Sequence, residues 1–201
     1  HNAGQMVADA LASRLGAGRF ARRYGGRVAE ARGPAGPVTI LVPETYVNLS
    51  GDAVGPAAGA LRARPEQVLV IHDDLDLPFG AVRGKIGGGH GGHNGLRSVA
   101  RGLGSGAFPR MRLGIGRPPA EFRGDPADWV LMRFAEPAGE VEAMVARAAD
   151  MAEVALAEGM EAAINRFHAS EPGERARARR ERREATRADA VEPPGEDGAA
   201  G

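Results

Sequence analysis

"EQVLVIHDD", residues 66–74, decides how the rest of the chain is read. Val68, Leu69, Val70 and Ile71 follow one another without a polar break, and His72, Asp73 and Asp74 close the run. An unbroken apolar stretch of this length, rather than an alternating one, describes a strand covered on both faces, as in a parallel sheet. Polar residues at its carboxyl end lie where open α/β sheets bind their ligands. The tripeptide is followed by "LDLP" (75–78), which suits a turn, so the acids alone do not prove a site.

Working outward, helix and strand patterns alternate. Met6, Val7, Ala10, Leu11 and Leu15 form an apolar stripe over residues 2–15, which Gly16 and Gly18 end. "YGGRVAEA" (24–31) and "PVTILVP" (37–43) read as strands joined by the turn "RGPAGP" (32–37). Ser50 is placed to cap a helix running to about Leu61. Downstream, "AVRGKIGGG" (81–89) and "RMRLGIG" (110–116) are strands, with a short helix from Asn94 to Leu103 between them. "DPADWVLMRF" (125–134) holds a turn or two of helix. A long helix over 136–168 buries Val141, Val145, Ala148, Met151, Ala152, Ala155 and Leu156, and Gly159 is its weak point. The alternation predicts a single layered α/β domain over residues 1–170, with a mixed, mostly parallel central sheet flanked by helices. Residues 171–201 carry seven Arg and eight acids with almost no large apolar side chain. They bury too little to offset their ordering entropy and are expected to be a disordered charged tail.

Totals exclude several classes. Apolar residues make up 43% and charged residues 26% of the 201, an ordinary balance for a globular chain. No apolar run approaches the roughly 18 residues that span a bilayer, so no membrane partner is expected. The absence of cysteine removes disulfides, thiolate metal sites and a cysteine nucleophile, and fits a cytoplasmic location. With 26 basic and 26 acidic side chains the formal charge is zero, so any anion site must be local. Lys85 is the single lysine.

Polar side chains gather in four short segments: "HNAG" (1–4), "ETYVNLSG" (44–51), "IHDDLDLPFG" (71–80) and "GKIGGGHGGHNG" (84–95). The glycine-histidine segment lets backbone approach a ligand closely and leads into a helix N-terminus. It is no Walker loop, because Lys85 precedes the glycines. On spacing alone it is also a tight loop with Asn94 as cap. His72, Asp73, Asp74 and Asp76, joined by His90 or His93, admit a metal-site reading. They equally admit one carboxylate that orients a histidine as a base. Tyr46 offers a stacking face for a base or serves as a half-buried sheet residue.

Taken together and in order, "HNAG", "LVPETYVNLSG", "HDDLDLPFG", "GGGHGGHNG" and "RMRLGIGRP" resemble the successive signatures of bacterial peptidyl-tRNA hydrolases, over about residues 1–168. The resemblance implies hydrolysis of the ester between a peptide and the 3′ ribose of tRNA, without metal or organic cofactor, by a cytoplasmic monomer. Its partner is the acceptor stem and 3′ CCA end of peptidyl-tRNA. By the same resemblance His1 is the general base and Asp73 orients it. Tyr46, Asn48 and Asn94, with Asn2 and His93, line the site for the 3′ end, and Lys85 and Arg112 meet tRNA phosphate. The competing expectations are an RNA-binding relative without catalysis and a metal-dependent hydrolase. The family's pattern begins upstream with a strand and a Gly-Asn-Pro-Gly loop, so the resemblance also implies a chain truncated ahead of His1, without the sheet's first strand.

Overall fold

Two three-stranded sheets organise the chain. The structure, a computed structural model, describes residues 1–119, 121–124 and 126–168. Residues 1–164 cluster as one unit, and 165–168 are the described part of a second. The expected tail at 171–201 lies outside the described residues.

Helix α1 (Ala3–Arg14) leads into β1 (Ala21–Arg23), β2 (Gly26–Gly33) and β3 (Gly36–Pro43). These three strands pair antiparallel in the order β1-β2-β3. Gly33 pairs with Gly36, so the predicted turn closes on Pro34 and Ala35 alone. The second sheet contains β4 (Val70–Asp74), β5 (Val82–Ile86) and β6 (Pro109–Gly114) in the order β4-β6-β5. Strand β4 runs parallel to β6, and β5 antiparallel to it.

The sheets are mixed, as expected, but the parallel share is smaller than the sequence suggested. Among the described residues β4 with β6 is the one parallel pair. Short links between β1, β2 and β3 permit only antiparallel pairing, and a parallel pair needs a longer crossover. That crossover is supplied by β5 and α3 (Asn94–Leu103). Strand β4 also departs from its reading as a doubly buried strand. Among the described residues it is an edge strand, it begins at Val70 rather than at residue 66, and only His72 in it is buried. Residues 65–67 form a 3-10 turn instead, started by Pro65, whose fixed φ suits a first helical position.

Side-chain parity places the layers. Register pairs Val70 with Arg110, His72 with Arg112, Arg83 with Arg112 and Lys85 with Arg110. Residues directly opposite share a face, so His72, Asp74, Arg110 and Arg112 look to one side while Asp73, Met111 and Leu113 look to the other. On the second side lies α5 (Ala138–Glu158), which buries Val141, Met144, Val145, Ala148, Met151 and Ala152 at helical spacing. Met111, Leu113 and Val82 are wholly covered there, each worth about 1.5–3 kcal/mol relative to exposure. Gly159, at φ 90°, ends α5, and α6 (Met160–His168) starts a new helix. Met151 and Met160 close over Gly84, where a Cβ would stand 2.7 and 2.5 Å from their methyl carbons.

On the first side α3 covers Val70 with Leu96, Val99 and Phe108. Helix α2 (Ser50–Leu61) packs on α3 backbone to backbone. A Cβ at Gly55 would lie 2.8 Å from the Gly102 carbonyl oxygen, and Gly51 donates its N–H to Ser98 Oγ at 2.9 Å. Glycine here is a packing requirement, and it brings the 3-10 turn Val47–Leu49, just ahead of α2, against the start of α3. Helix α4 (Pro126–Leu131) completes the elements. Among the described residues no helix is long and apolar enough to cross a membrane.

Candidate active site

The carboxyl end of β4 lies between two helix N-termini. Because neighbours in a strand face opposite ways, Asp73 turns toward α1 while His72 turns toward α3. The alternation already divides the His72, Asp73, Asp74 trio considered as a metal set. Among the described residues no group of three or more His, Asp or Glu is arranged to hold a metal ion.

On the α1 side, the Asp73 carboxylate accepts from the backbone N–H of Asn2 (2.9 Å), Ala3 (2.8 Å) and Gly4 (3.4 Å). The first amides of a helix lack internal acceptors and carry its positive end, so Asp73 serves α1 as a cap supplied from another strand. Gly4 permits the approach: a Cβ there would lie 2.6 Å from the Ile71 carbonyl oxygen. Burial nevertheless raises the Asp73 pKa, outweighing the three amides. Asn2 takes a left-handed conformation, φ 64°, and its side-chain amide donates to Gln5 Oε1 at 3.1 Å.

The His1 ring, one residue before the Asn2 amide that Asp73 holds, takes other partners. Its ring meets Phe134 edge-on, 4.6 Å between centroids, and Trp129 at 5.5 Å. Its α-amino group donates to the carbonyls of Val130 and Met132. Nδ1 stands 3.3 Å from the Val130 oxygen. A carbonyl only accepts, so this contact selects the Nδ1–H tautomer and leaves the lone pair on Nε2, which is buried without a partner among the described residues. The hydrogen bond expected from Asp73 to this imidazole is therefore not made. Asp73's oxygens are taken by the α1 amides, and a backbone carbonyl fills the orienting place at Nδ1.

On the α3 side, His72 donates Nδ1–H to the Asp73 carbonyl at 2.8 Å, and its Nε2 is buried and unpartnered. His93 stands edge-on to it at 4.7 Å. Burial, then the neighbouring His93, push the His72 pKa down to about 4. Burial also lowers that of His93. Both rings are thus neutral near pH 7. His93 caps α3, its Nδ1 accepting the Leu96 N–H at 3.2 Å. Asn94, the first residue of α3, is exposed and accepts from Arg97 at 2.7 Å. The 3-10 turn carries Asn48 to the same place: a Cβ at Gly95 would touch both the His93 ring (2.8 Å) and Val47 (2.9 Å). Asn48 is exposed, and Tyr46 before it is 82% exposed, a free aromatic face rather than a half-buried sheet residue.

Of the two cations expected to meet phosphate, Lys85 is exposed on β5. Arg112 instead bonds Asp74 through Nε at 2.7 Å. Burial would raise the Asp74 carboxyl, but Arg112 and the Asp76 amide hold it below its usual value. Sequence reasoning missed two features. Arg110 is 3% exposed and grips the glycine loop from below, and aromatic residues 129 and 134 enclose His1. Register and contact in space reveal them; neither has a local signature.

Comparison with known proteins identifies the family. The family model described as peptidyl-tRNA hydrolase matches residues 1–175. A peptidyl-tRNA hydrolase of Mycobacterium bovis (strain BCG / Pasteur 1173P2) is 51% identical over 172 residues, 84% of this chain and 88% of that protein. One from Sorangium cellulosum (strain So ce56) is 46% identical over 178 residues, 87% and 79% of the two chains. Among solved structures, a peptidyl-tRNA hydrolase in complex with N-propanol superposes with a TM-score of 0.74 at 33% identity, covering 86% of this chain and 87% of that one. The enzyme from Acinetobacter baumannii gives a TM-score of 0.71 at 33% identity, covering 82% and 84%. On sequence and fold together, this chain belongs to the peptidyl-tRNA hydrolase family.

Proposed function

We propose that the groups meeting at the carboxyl end of β4 divide one ester hydrolysis between them. The activity of the family is hydrolysis of peptidyl-tRNA, a carboxylic ester hydrolase reaction. Once its ring turns out from the cover of Trp129 and Phe134, His1 Nε2, buried and without a partner among the described residues, takes a proton from water as the water attacks the ester carbonyl carbon. Asn48 and Asn94 donate amide hydrogens to the water and to the oxyanion that forms. Collapse of the tetrahedral intermediate breaks the bond to the 3′ ribose oxygen, which takes the proton back from the imidazolium. The products are the free peptide acid and tRNA. Asp73 acts through the backbone, fixing the turn that bears His1. His93 holds Asn94 in place as the α3 cap, and Asn2 borders the same turn.

The observation that carries this reading is the meeting of the α1 and α3 starts and the Asn48 turn at one strand end. The substrate is engaged at its acceptor stem and 3′ CCA end. Tyr46 stacks a terminal base, and Lys85 with Arg112 meets phosphate. Arg112 must exchange or share its Asp74 bond to do so. A tRNA ester as substrate supports a cytoplasmic location, and the presence of every named group in one chain supports a monomer. The direct test incubates the chain with N-acetyl-aminoacyl-tRNA and follows release of tRNA. His1→Ala is expected to lower kcat by about 100-fold or more. Undiminished turnover in that variant would remove the imidazole from the chemistry.

A further inference from the structure

We propose that Arg110 is a positioning residue that, from beneath the glycine loop 87–92, turns the backbone N–H groups of Gly89 and His90 outward to receive a phosphate oxygen of the RNA backbone. The inference rests on the reading of an RNA ester as substrate, and it names how the chain grips the RNA rather than how it cleaves the ester.

Arg110 is 97% covered, on 3% residual exposure, in the middle strand of its sheet. One terminal nitrogen donates to the Gly89 carbonyl and the other to the Gly88 carbonyl, both at 3.0 Å. The guanidinium lies 4.8 Å from the Phe108 ring centroid. No carboxylate partner stands beside it among the described residues. A planar fork gripping two successive carbonyls fixes two successive peptide planes. In a trans peptide the C=O and N–H point opposite ways, and no cis peptide bond occurs among the described residues. With the carbonyls of Gly88 and Gly89 held inward, the N–H groups of Gly89 and His90 must face away from Arg110. Both residues are exposed, and neither N–H finds an acceptor among the described residues. A Cβ at Gly89 would meet nothing within 4 Å, so the space above the loop is open.

Charge points the same way. Lys85, opposite Arg110 in the ladder, brings its ammonium nitrogen to 3.2 Å from the Cβ position of Gly88. A buried cation without a counterion costs free energy that an anion at the loop recovers. Successive outward N–H groups form the kind of concavity that binds phosphate. A loop needing only stiffness could have used a neutral donor below it.

The first experiment needs no variant and no turnover. The 15N-labelled full chain is titrated with the trinucleotide CCA and, separately, with adenosine, which has no phosphate. The Gly89 and His90 amide resonances are expected to shift with CCA and to stay in place with adenosine. Resonances unmoved by CCA, or moved equally by both, overturn the proposal. The second compares Arg110→Met and Arg110→Lys on N-acetyl-aminoacyl-tRNA and on the phosphate-free N-acetyl-aminoacyl-adenosine, with thermal melting to establish that each variant is folded. Both are expected to raise KM for the tRNA ester about tenfold with kcat unchanged, and to leave the adenosine ester unaffected. Equal losses on both esters, or full rescue by the lysine variant, contradict the two-carbonyl grip. If the unsubstituted chain hydrolyses neither ester, the hydrolase reading is what fails, and the resonance shifts alone decide this proposal.

Discussion

The N-termini of α1 and α3 point at the same strand end, yet they are finished differently. At α1 the protein brings its own anion: one Asp73 carboxylate occupies the amides of residues 2–4. At α3 the cap is an uncharged ring, His93, backed by a second neutral ring, His72. Around it lie a lysine and a glycine loop whose Gly89 and His90 N–H groups are unpaired among the described residues. A helix start satisfied internally is structure, and one left electropositive and open is available to an external anion. The site is therefore asymmetric by construction. Its α1 half is closed by Asp73, and its α3 half is open to solvent.

Acidification breaks the neutral half first. The His72 pKa is depressed in the folded protein, so the unfolded chain binds a proton more readily, and stability falls as pH drops through the window from the usual 6.5 to about 4. The loss from His72 is about 2 kcal/mol by pH 5 and about 3 kcal/mol once titration is complete. His93 contributes with the same sign. Asp73 has the opposite sign, because its raised pKa lets the folded state take up a proton before the unfolded chain does as pH falls. Urea unfolding at pH 7 and pH 5 checks this. His72→Gln, which keeps a donor for the Asp73 carbonyl, is expected to lose His72's share of the pH dependence. An unchanged dependence would show that His72 is not the group responsible.

Asp73→Ala attacks the closed half. It leaves the α1 amides without their acceptor and is expected to cost about 2 kcal/mol at pH 7, read from the urea midpoint. Turnover is expected to fall as well, since the turn bearing His1 loses its anchor. A variant as stable as the parent would mean that water replaces the carboxylate without penalty. The smallest effect is expected from His93→Ala, about 1 kcal/mol for a lost neutral cap. Its KM should rise through displacement of Asn94. If this variant proves less stable than Asp73→Ala, the division between a structural and a substrate half is wrong.

Much of this was legible in one dimension. The hairpin turn, α1 to within one residue at either end, α2, α3 and the break at Gly159 follow from local rules: turn residues, apolar period and the φ freedom of glycine. Strand β4 was located but misjudged, because whether an apolar run is central or at an edge depends on which strands pair with it. The site was legible as a set of segments and not as a geometry. Asp73 and His1 were both singled out, yet the carboxylate went to backbone amides, which no side-chain motif records. Arg110 looked like any arginine in "RMRLGIG" until the register placed it under the glycine loop.

By itself, then, the sequence determined the family, the order of elements and the short segments that carry polar groups, since these depend on contacts between near neighbours in the chain. Only the tertiary structure decided which face of β4 each polar residue serves, which helix start is filled from within, and which arginine is buried rather than offered to solvent. Those outcomes follow from strand register and from competition among donors and acceptors far apart in the chain, and such competition has no expression until the backbone has closed.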